Sequence, residues 1–330
     1  MGKLFDTALP YLLSGISVGG QYALIAIGYT MVYGILRLIN FAHGDIFMVA
    51  GLLMIYINAA LTPVLMNAGL SNATAFLVSI LISLILVLVL TVLLGFSIEQ
   101  AAYKPLRSAP RMSVMISAIG VSYLIQNLAI YVTGGLAQPY PGKGVQFPWL
   151  ADTVAIGTTS VKRVTIITPI LTAVLVVLLV LLIKKTKIGM AMRAVSRDFE
   201  TSRLMGIKIN SVISMTFIIG SFLAAVGSTL YFTNYASVTP TSGAMPGLKA
   251  FVAAVFGGIG SVPGAVVGAF IIGICENILK GLDNILITMG VTTSSFGFST
   301  FSDAFTFVLL IVILCVKPTG LFGEKNTDKV

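Results

Sequence analysis

Long stretches of this chain carry no charged residue, and this feature limits its possible folds more than any other. Residues 46–98 contain no Asp, Glu, Lys or Arg, and neither do residues 209–248. Charged residues make up 9% of the chain and hydrophobic residues 57%, whereas a soluble domain carries about 25% charged residues. A surface with so few charges must face lipid. The sequence therefore predicts an all-α polytopic membrane protein.

A helix needs about 20 apolar residues to span the hydrocarbon core of a bilayer. Apolar runs of this length recur along the chain. The clearest covers residues 75–96 and is followed by Glu99 and a loop with prolines and basic residues. We interpret the whole chain, residues 1–330, as a single transmembrane domain. About eight transmembrane segments are predicted, at residues 9–33, 44–66, 74–96, 113–133, 164–183, 211–233, 248–279 and 302–316.

The formal net charge of +9 is concentrated in short loops between the apolar runs. Basic residues cluster in residues 97–112 and again in residues 184–210, and such clusters mark cytoplasmic loops of membrane proteins. The charge therefore reflects membrane insertion, and no nucleic-acid partner is expected. Residues 134–163, which are rich in Gly and Pro, then form an external loop, and the C-terminal tail from Lys317 is cytoplasmic.

Two interruptions fall inside apolar regions. The segment GGIGSVPG at residues 257–264 should break a helix, because Gly and Pro both destabilise helix interiors. A fold-back at this point within residues 248–279 would also return the tail to the cytoplasm. Residues 36–51 form the second interruption, which is polar. Broken helices in corresponding places of two halves are typical of internally repeated transporters, so the sequence predicts broken or re-entrant helices and an internal repeat.

Residues at these interruptions are candidates for a translocation pathway, because ionisable groups within a membrane usually face the bundle interior or an aqueous cavity. The candidates are Asn40, His43, Asp45, Gly257, Gly258 and Gly260. Asn40 and Asp45 are also common helix N-caps, so capping and packing is the favoured interpretation and substrate contact the alternative. The glycines fit close helix packing or a close ligand approach. For the G-x-x-x-G pair Gly264 and Gly268, close packing is predicted.

The basic segment that ends the 184–210 loop is amphipathic and longer than a turn requires. Such a segment docks onto a partner or lies on anionic lipid. Within it, Glu200-Thr201-Ser202 followed by Gly206 resembles the E-A-A-x-x-x-G loop of ABC importer permeases, with Thr-Ser in place of Ala-Ala. In that family the loop forms a coupling helix that sits in a cleft of the ATPase subunit.

Four segments in the same order and spacing, covering nearly the whole chain, resemble the branched-chain amino acid permease family of ABC transporters, in particular its LivH type. They are residues 28–51, 192–207, 257–269 and 317–324. The resemblance implies import of leucine, isoleucine, valine or related small neutral amino acids across the bacterial inner membrane, and relatives that carry urea or short amides leave the substrate open. The residues implied to contact the ATPase are Arg193, Arg197, Glu200, Thr201, Ser202 and Gly206.

The same resemblance implies a set of partner chains. These are a second, LivM-like permease subunit, two ATP-binding subunits and an external substrate-binding protein. The chain contains no G-x-x-x-x-G-K-[ST] motif, which is the loop that cradles nucleotide phosphates. We therefore expect ATP and Mg to be bound by the partner ATPase subunits and no cofactor to be bound by this chain.

Two other classes of function compete with an ATP-driven permease. A facilitative channel or a secondary transporter can also use broken helices with polar ends. An ion-coupled carrier would need carboxylates within the membrane, whereas Asp45, Glu276, Asp283 and Asp303 all fall near the ends of predicted segments. An enzyme is not expected, because the sequence contains neither an HExxH nor a GxSxG motif.

Overall fold

A computed structural model describes residues 2–107, 109–139, 147–156, 159–234, 237–292 and 294–323. Helices account for most of these residues. They are α1 Gly2–Leu36, α2 His43–Asn67, α3 Asn72–Ile98 with a following π-helical turn Glu99–Tyr103, α4 Arg111–Thr133, α5 Pro148–Ala151, α6 Arg163–Lys185, α7 Lys187–Arg197, α8 Phe199–Leu204, α9 Ile209–Phe232, α10 Ala244–Gly257, α11 Val262–Thr288, a 3₁₀ turn Phe298–Phe301 and α12 Ser302–Val316.

Within the described part of the chain, eight helical segments are long and apolar enough to cross a membrane. The predicted all-α polytopic fold is therefore confirmed. The predicted segment 248–279 is not one helix: it divides into α10, which is too short to span the bilayer, and α11, which is long enough. The paired strands are short, namely β1 Gln138–Pro139, β2 Thr153–Ile156, β3 Thr159–Lys162 and β4 Ser237–Val238.

Helix α3 shows that lipid, not water, is the solvent around the bundle. Leu77, Leu81 and Ile85 are 58%, 61% and 63% exposed, and their spacing of four residues places them on one face of the helix. Ser79 and Ser83, which lie on another face, are fully buried. This arrangement suits a membrane helix, because large apolar side chains face the lipid while small residues let neighbouring helices approach closely.

Helix α1 lies at the centre of the bundle, and its most extensive contact is with α11. Gly15 of α1 lies against Ile274 and Gly19 against Phe270, so the two helices run antiparallel. A Cβ at Gly19 would lie only 2.8 Å from the Cα of Phe270. Small residues at this interface therefore permit a separation that larger side chains would prevent.

The loops predicted to be cytoplasmic lie together at one end of the bundle. Arg37, after α1, donates to the backbone carbonyl of Ser196 at the end of α7, and Arg107 donates to the side chain of Asn210 at the start of α9. At the other end, β1 pairs antiparallel with β4, which joins the predicted external loop to the segment after α9. The two sets of loops therefore lie at opposite ends of the bundle, and which end is cytoplasmic stays a prediction from the basic clusters.

Candidate functional site

The polar interruption after α1 is a short connection between two helices. Arg37 adopts a left-handed conformation with φ of 55°, and its backbone N–H donates to the carbonyl of Tyr33 at 2.8 Å. Helix α2 then begins at His43. The break that was predicted within residues 36–51 is therefore confirmed and is confined to residues 37–42.

The first turn of α2 packs directly against the first turn of α10. A Cβ on Gly44 would lie 2.8 Å from the carbonyl oxygen of Gly243 and 3.2 Å from the Cα of Gly247, so glycine is needed at this contact. The sequence had matched the 36–51 interruption with the one at 257–264. The structure instead brings the start of α2 to the opposite end of α10 from that glycine-rich segment.

A cavity of about 270 Å³ lies beside these two helix starts, between α1, α2, α4 and α10. Asp45 supplies its one carboxylate. Gln126 Nε2 donates to Asp45 Oδ1 at 2.9 Å, and the Ser122 hydroxyl donates to Asp45 Oδ2. The remaining wall is mostly apolar or aromatic, and it is formed by Tyr29, Phe41, Gly44, Ile119, Tyr123, Gly243, Ala244, Gly247, Leu248 and Phe251.

Asn40 and His43, two of the candidate pathway residues, lie in the packed interior next to this cavity. The hydroxyl of Tyr103 donates to Asn40 Oδ1 at 2.8 Å. His43 is 2% exposed, and its imidazole fills the space beside Gly28 and meets the ring of Tyr29 edge-on, with 5.0 Å between the ring centroids. Neither side chain contributes to the wall of the cavity.

The predicted capping role of Asn40 and Asp45 is wrong. The N-cap residue of α2 is Ala42, and no side chain caps this helix. Asp45 lies in the first turn, but its carboxylate is directed to α4 by the hydrogen bonds described above. Of the three polar candidates at the first break, Asp45 alone reaches the cavity wall.

Close packing of α10 against α11 explains several glycines at the second break. A Cβ on Gly257 or on Gly264 would collide with the backbone of the other residue, and a Cβ on Gly268 would collide with the carbonyl of Ala253. The predicted close packing of the Gly264 and Gly268 pair is therefore confirmed, and its partner is α10.

The turn between α10 and α11 occupies residues 258–261, which confirms the predicted glycine break. Gly258 and Gly260 have φ angles of 106° and 98°, a region that favours glycine because it has no Cβ. Helix α10 has 14 residues, so this turn lies about 20 Å from the cavity end of the helix. None of the three candidate glycines, Gly257 included, lies on the cavity wall.

The C-terminal tail caps α10 at this turn. The backbone N–H of Leu321 donates to the carbonyl of Phe256 at 3.0 Å, and that of Phe322 donates to the carbonyl of Gly257 at 2.9 Å. Carbonyls in the last turn of a helix have no partner within the helix. The tail therefore satisfies two acceptors that the short helix leaves open.

A buried ionic cluster joins α10 to α11 and α12. Lys249 Nζ lies 2.7 Å from Glu276 Oε1 and 2.6 Å from Asp303 Oδ1. Lys280 Nζ contacts the same oxygen of Glu276, and the hydroxyl of Tyr22 donates to the other at 3.1 Å. Buried charges are tolerated when they are paired and hydrogen-bonded. The cluster therefore holds the short helix α10 against its two neighbours.

This cluster was not predicted from the sequence, for an identifiable reason. Glu276 was placed near the end of a segment that stopped at residue 279, and this is wrong because α11 continues to Thr288. Lys249 directly follows the uncharged residues 209–248 and was not singled out. The sequence did contain a signal for this pair. Lys249 and Glu276 both lie within apolar runs, and membrane helices rarely carry charged residues without a partner.

Glu99 is a second buried carboxylate that sequence reasoning did not assign. It is fully buried in the π-helical turn after α3. The Ser214 hydroxyl donates to Glu99 Oε2 at 2.8 Å and the Gln100 side chain at 2.7 Å, while Arg107 forms an ion pair with Glu99 Oε1. Because Ser214 belongs to α9, its hydrogen bond to Glu99 links the predicted cytoplasmic end of α3 to that helix.

The predicted coupling segment contains two short helices, α7 and α8, which meet at Asp198. Asp198 caps α8: its Oδ1 accepts from the N–H of Thr201 at 3.0 Å and its Oδ2 from the Thr201 hydroxyl at 2.6 Å. At the other end, Gly206 has φ of 79°, and the N–H of Ile207 donates to the carbonyl of Ser202 at 3.1 Å. This is a Schellman ending, which explains why the motif needs glycine.

The residues of the coupling motif are mostly available to a partner. Leu204 and Met205 at the end of α8 are 87% and 78% exposed, although both are apolar. Ser202 is the exception among the predicted coupling residues, since it is 5% exposed. The other predicted coupling residues are exposed, namely Arg193, Arg197, Glu200, Thr201 and Gly206.

The described part of the chain combines spanning helices, a half-length helix held by buried charges, a cavity at the starts of α2 and α10, and a capped helix exposed at one end. These are the features of a polytopic membrane permease. Comparison with known proteins identifies the family. Residues 11–315 match the family described as branched-chain amino acid transport system / permease component. The chain belongs to this family.

Curated relatives match over the full length of the chain. The high-affinity branched-chain amino acid transport system permease protein LivH of Salmonella typhimurium is 35% identical, and the alignment covers 100% of both chains. LivH of Escherichia coli (strain K12) is 36% identical, also over 100% of both chains. The permease protein BraD of Pseudomonas aeruginosa is 36% identical over 98% of each chain.

Proposed function

We propose that this chain is the permease subunit of an ATP-binding-cassette importer that carries branched-chain amino acids across the inner membrane. Its similarity to the LivH and BraD permeases over their whole length is the observation that carries this proposal. The fructose import permease FruF of Bifidobacterium longum is 26% identical over 92% of this chain, and the ribose import permease RbsC of Haemophilus influenzae is 32% identical over 31% of it. The comparisons therefore favour amino acids over sugars as the substrate class.

Active import by this chain requires partners that supply energy and substrate. The sequence has no phosphate-binding G-x-x-x-x-G-K-[ST] loop, so two ATP-binding subunits hydrolyse ATP with Mg. A second, LivM-like permease subunit completes the membrane part, and an external binding protein delivers the amino acid. This chain then contributes half of the pathway and no catalytic residue.

Helix α8 is the proposed contact with an ATP-binding subunit. Its N-terminus is capped by Asp198 and its C-terminus is closed by Gly206, so the helix is formed before docking and loses little conformational entropy on binding. Leu204 and Met205 present exposed apolar surface next to the charge of Glu200. A short amphipathic helix of this kind fits a groove on a partner.

Helix α9 provides a route from this contact to the cavity. It begins at Ile209, directly after the coupling segment, and packs against α1, α2 and α3. Within it, Gly220 lies against Gly28 and against the imidazole of His43. His43 belongs to the first turn of α2, next to Asp45. We expect movement of α8 to reach the cavity through this contact, which gives His43 a positioning role.

The proposal is tested with the complex purified from cells that also express the partner subunits. A tagged chain should co-purify with the ATP-binding subunits, and proteoliposomes that contain the complex should take up leucine only with ATP and the binding protein. Replacing Glu200 by Ala or Gly206 by Val should reduce uptake on the order of tenfold relative to ATP hydrolysis, with unchanged membrane insertion. Asp152→Asn, on the predicted external loop, serves as the control.

Two results would contradict the proposal. Leucine uptake that proceeds down its gradient without ATP or the ATP-binding subunits would indicate a facilitative channel or a secondary transporter. Unchanged coupling between hydrolysis and uptake in both the Glu200 and the Gly206 variants would show that α8 is not the contact through which ATP hydrolysis drives transport.

A further inference from the structure

Asp45 is a buried carboxylate whose charge no neighbouring cation balances. It is 3% exposed, and its two hydrogen bonds come from the neutral side chains of Ser122 and Gln126. None of the ion pairs formed by the described residues includes Asp45. Lys249, a buried cation on the neighbouring helix α10, is already paired with Glu276 and Asp303.

An unbalanced buried charge is costly, and most such charges in proteins are paired with a counter-ion. Asp45 lies on the wall of the cavity, so its missing counter-ion can be supplied by a ligand. A carboxylate has about four lone-pair sites, and Ser122 and Gln126 use two of them. The remaining sites can accept hydrogen bonds from a cationic donor in the cavity.

The rest of the cavity limits what that cation can belong to. The volume of about 270 Å³ lies just below the usual range for small-molecule pockets, roughly 300–1,000 Å³, so the ligand must be small. Leu248 and Phe251 of α10 provide apolar surface, and Tyr29 adds an aromatic side chain to the wall. A small molecule with a primary ammonium group and an aliphatic side chain meets these requirements.

We propose that Asp45, held by Ser122 and Gln126, binds the ammonium group of the amino acid in transit, whose aliphatic side chain lies against Leu248 and Phe251. This inference rests on the proposed function and adds a binding site within the permease itself. Substrate selection then does not depend on the external binding protein alone, because a solute without an ammonium group leaves the Asp45 charge unpaired.

The test measures protection of a cysteine in the cavity, so that the external binding protein is not needed. Leu248→Cys is introduced into the complex after Cys275 and Cys315 have been replaced by Ala, and its labelling by N-ethylmaleimide is followed. Two probes of similar shape are compared, 3-methylbutylammonium and 4-methylpentanoate. The ammonium probe should slow labelling, and the carboxylate probe should not.

Replacement of the carboxylate provides the second arm. In Asp45→Asn the concentration of 3-methylbutylammonium that gives half-protection should rise about tenfold or more, because a hydrogen bond to a charged group is lost. Asp152→Asn removes the same charge outside the cavity and should leave protection unchanged. If Asp45→Asn fails to fold, the comparison of the two probes with the native Asp45 still decides the question.

Equal protection by the two probes, or undiminished protection by the ammonium probe in a folded Asp45→Asn complex, would overturn this inference. The proposed function is tested independently by co-purification and ATP-driven leucine uptake. If uptake depends on ATP while the ammonium probe gives no protection, the assignment of Asp45 alone is refuted.

Discussion

Replacing Lys249 by Met should destabilise the permease by removing the central cation of the ionic cluster. Lys249 is 5% exposed and bridges Glu276 of α11 and Asp303 of α12. Met has a similar length and no charge, so the substitution preserves most of the packing. Glu276, which is 1% exposed, would keep its contact with Lys280 and its hydrogen bond from Tyr22.

The size of the effect follows from the burial of each partner. Removal of one member of a buried ion pair costs about 3–5 kcal/mol, because the other charge stays buried. Lys280 still contacts Glu276, and the side chain of Asp303 is 50% exposed. We therefore expect the free energy of unfolding to fall by about 3 kcal/mol, the lower end of this range. At roughly 2 °C per kcal/mol for a large chain, the melting temperature should fall by about 6 °C.

The assay is thermal unfolding of the purified complex in detergent, with Lys280→Met as the matched control. Lys280 contacts the same Glu276 oxygen, but its side chain is 40% exposed and its loss leaves Glu276 paired with Lys249, so Lys280→Met should lower the melting temperature less than Lys249→Met. The double variant Lys249→Met/Glu276→Gln should recover part of the loss, since both buried charges are gone. Comparison of the single and double variants gives the interaction free energy between Lys249 and Glu276. A value no larger than about 0.6 kcal/mol, the average for hydrogen bonds between membrane helices, would refute the stabilising role of this buried ion pair.

Three further pairs of substitutions test backbone features of the fold. Gly206→Ala should reduce ATP-driven uptake more than Gly206→Asn, because Asn tolerates the left-handed conformation better; equal uptake would contradict this. Gly258→Ala should lower the melting temperature more than Gly69→Ala, since both residues have positive φ but a Cβ collides with the tail only at Gly258; equal shifts would exclude the collision. Leu321→Pro removes the N–H that caps Phe256 and should destabilise the complex more than Leu321→Ala.

The sequence predicts the spanning segments and their breaks because lipid imposes local requirements. A run of about 20 apolar residues can be counted directly along the chain, and so can the glycines and proline that stop a helix at residues 257–264. Helix α8 was equally accessible to sequence reasoning, because its cap at Asp198 and its left-handed ending at Gly206 depend on residues that are close in sequence.

Contacts between distant helices were not predictable in this way. Asp45 is 77 residues from Ser122 and 81 from Gln126, and on α4 both look like ordinary small or polar residues of a membrane helix. Lys249 and Glu276 meet only because the chain reverses between α10 and α11. A hydropathy pattern shows that a segment is buried or spans the membrane, but it does not show which faces of two helices meet.

The contacts of α10 indicate which parts of the cavity move together. Ion pairs through Lys249 fix α10 to α11 and α12, whereas the start of α10 meets α2 through Gly243 and Gly247, which lie against Gly44 and, for Gly243, also against Met48. None of the ion pairs among the described residues joins α2 to α10, so we expect α2 to shift along α10 with less resistance than α11 or α12 can. Asp45 moves with α2, while Leu248 moves with α10. We therefore expect the cavity to open by separating the carboxylate from the apolar wall, which would release an amino acid held between them.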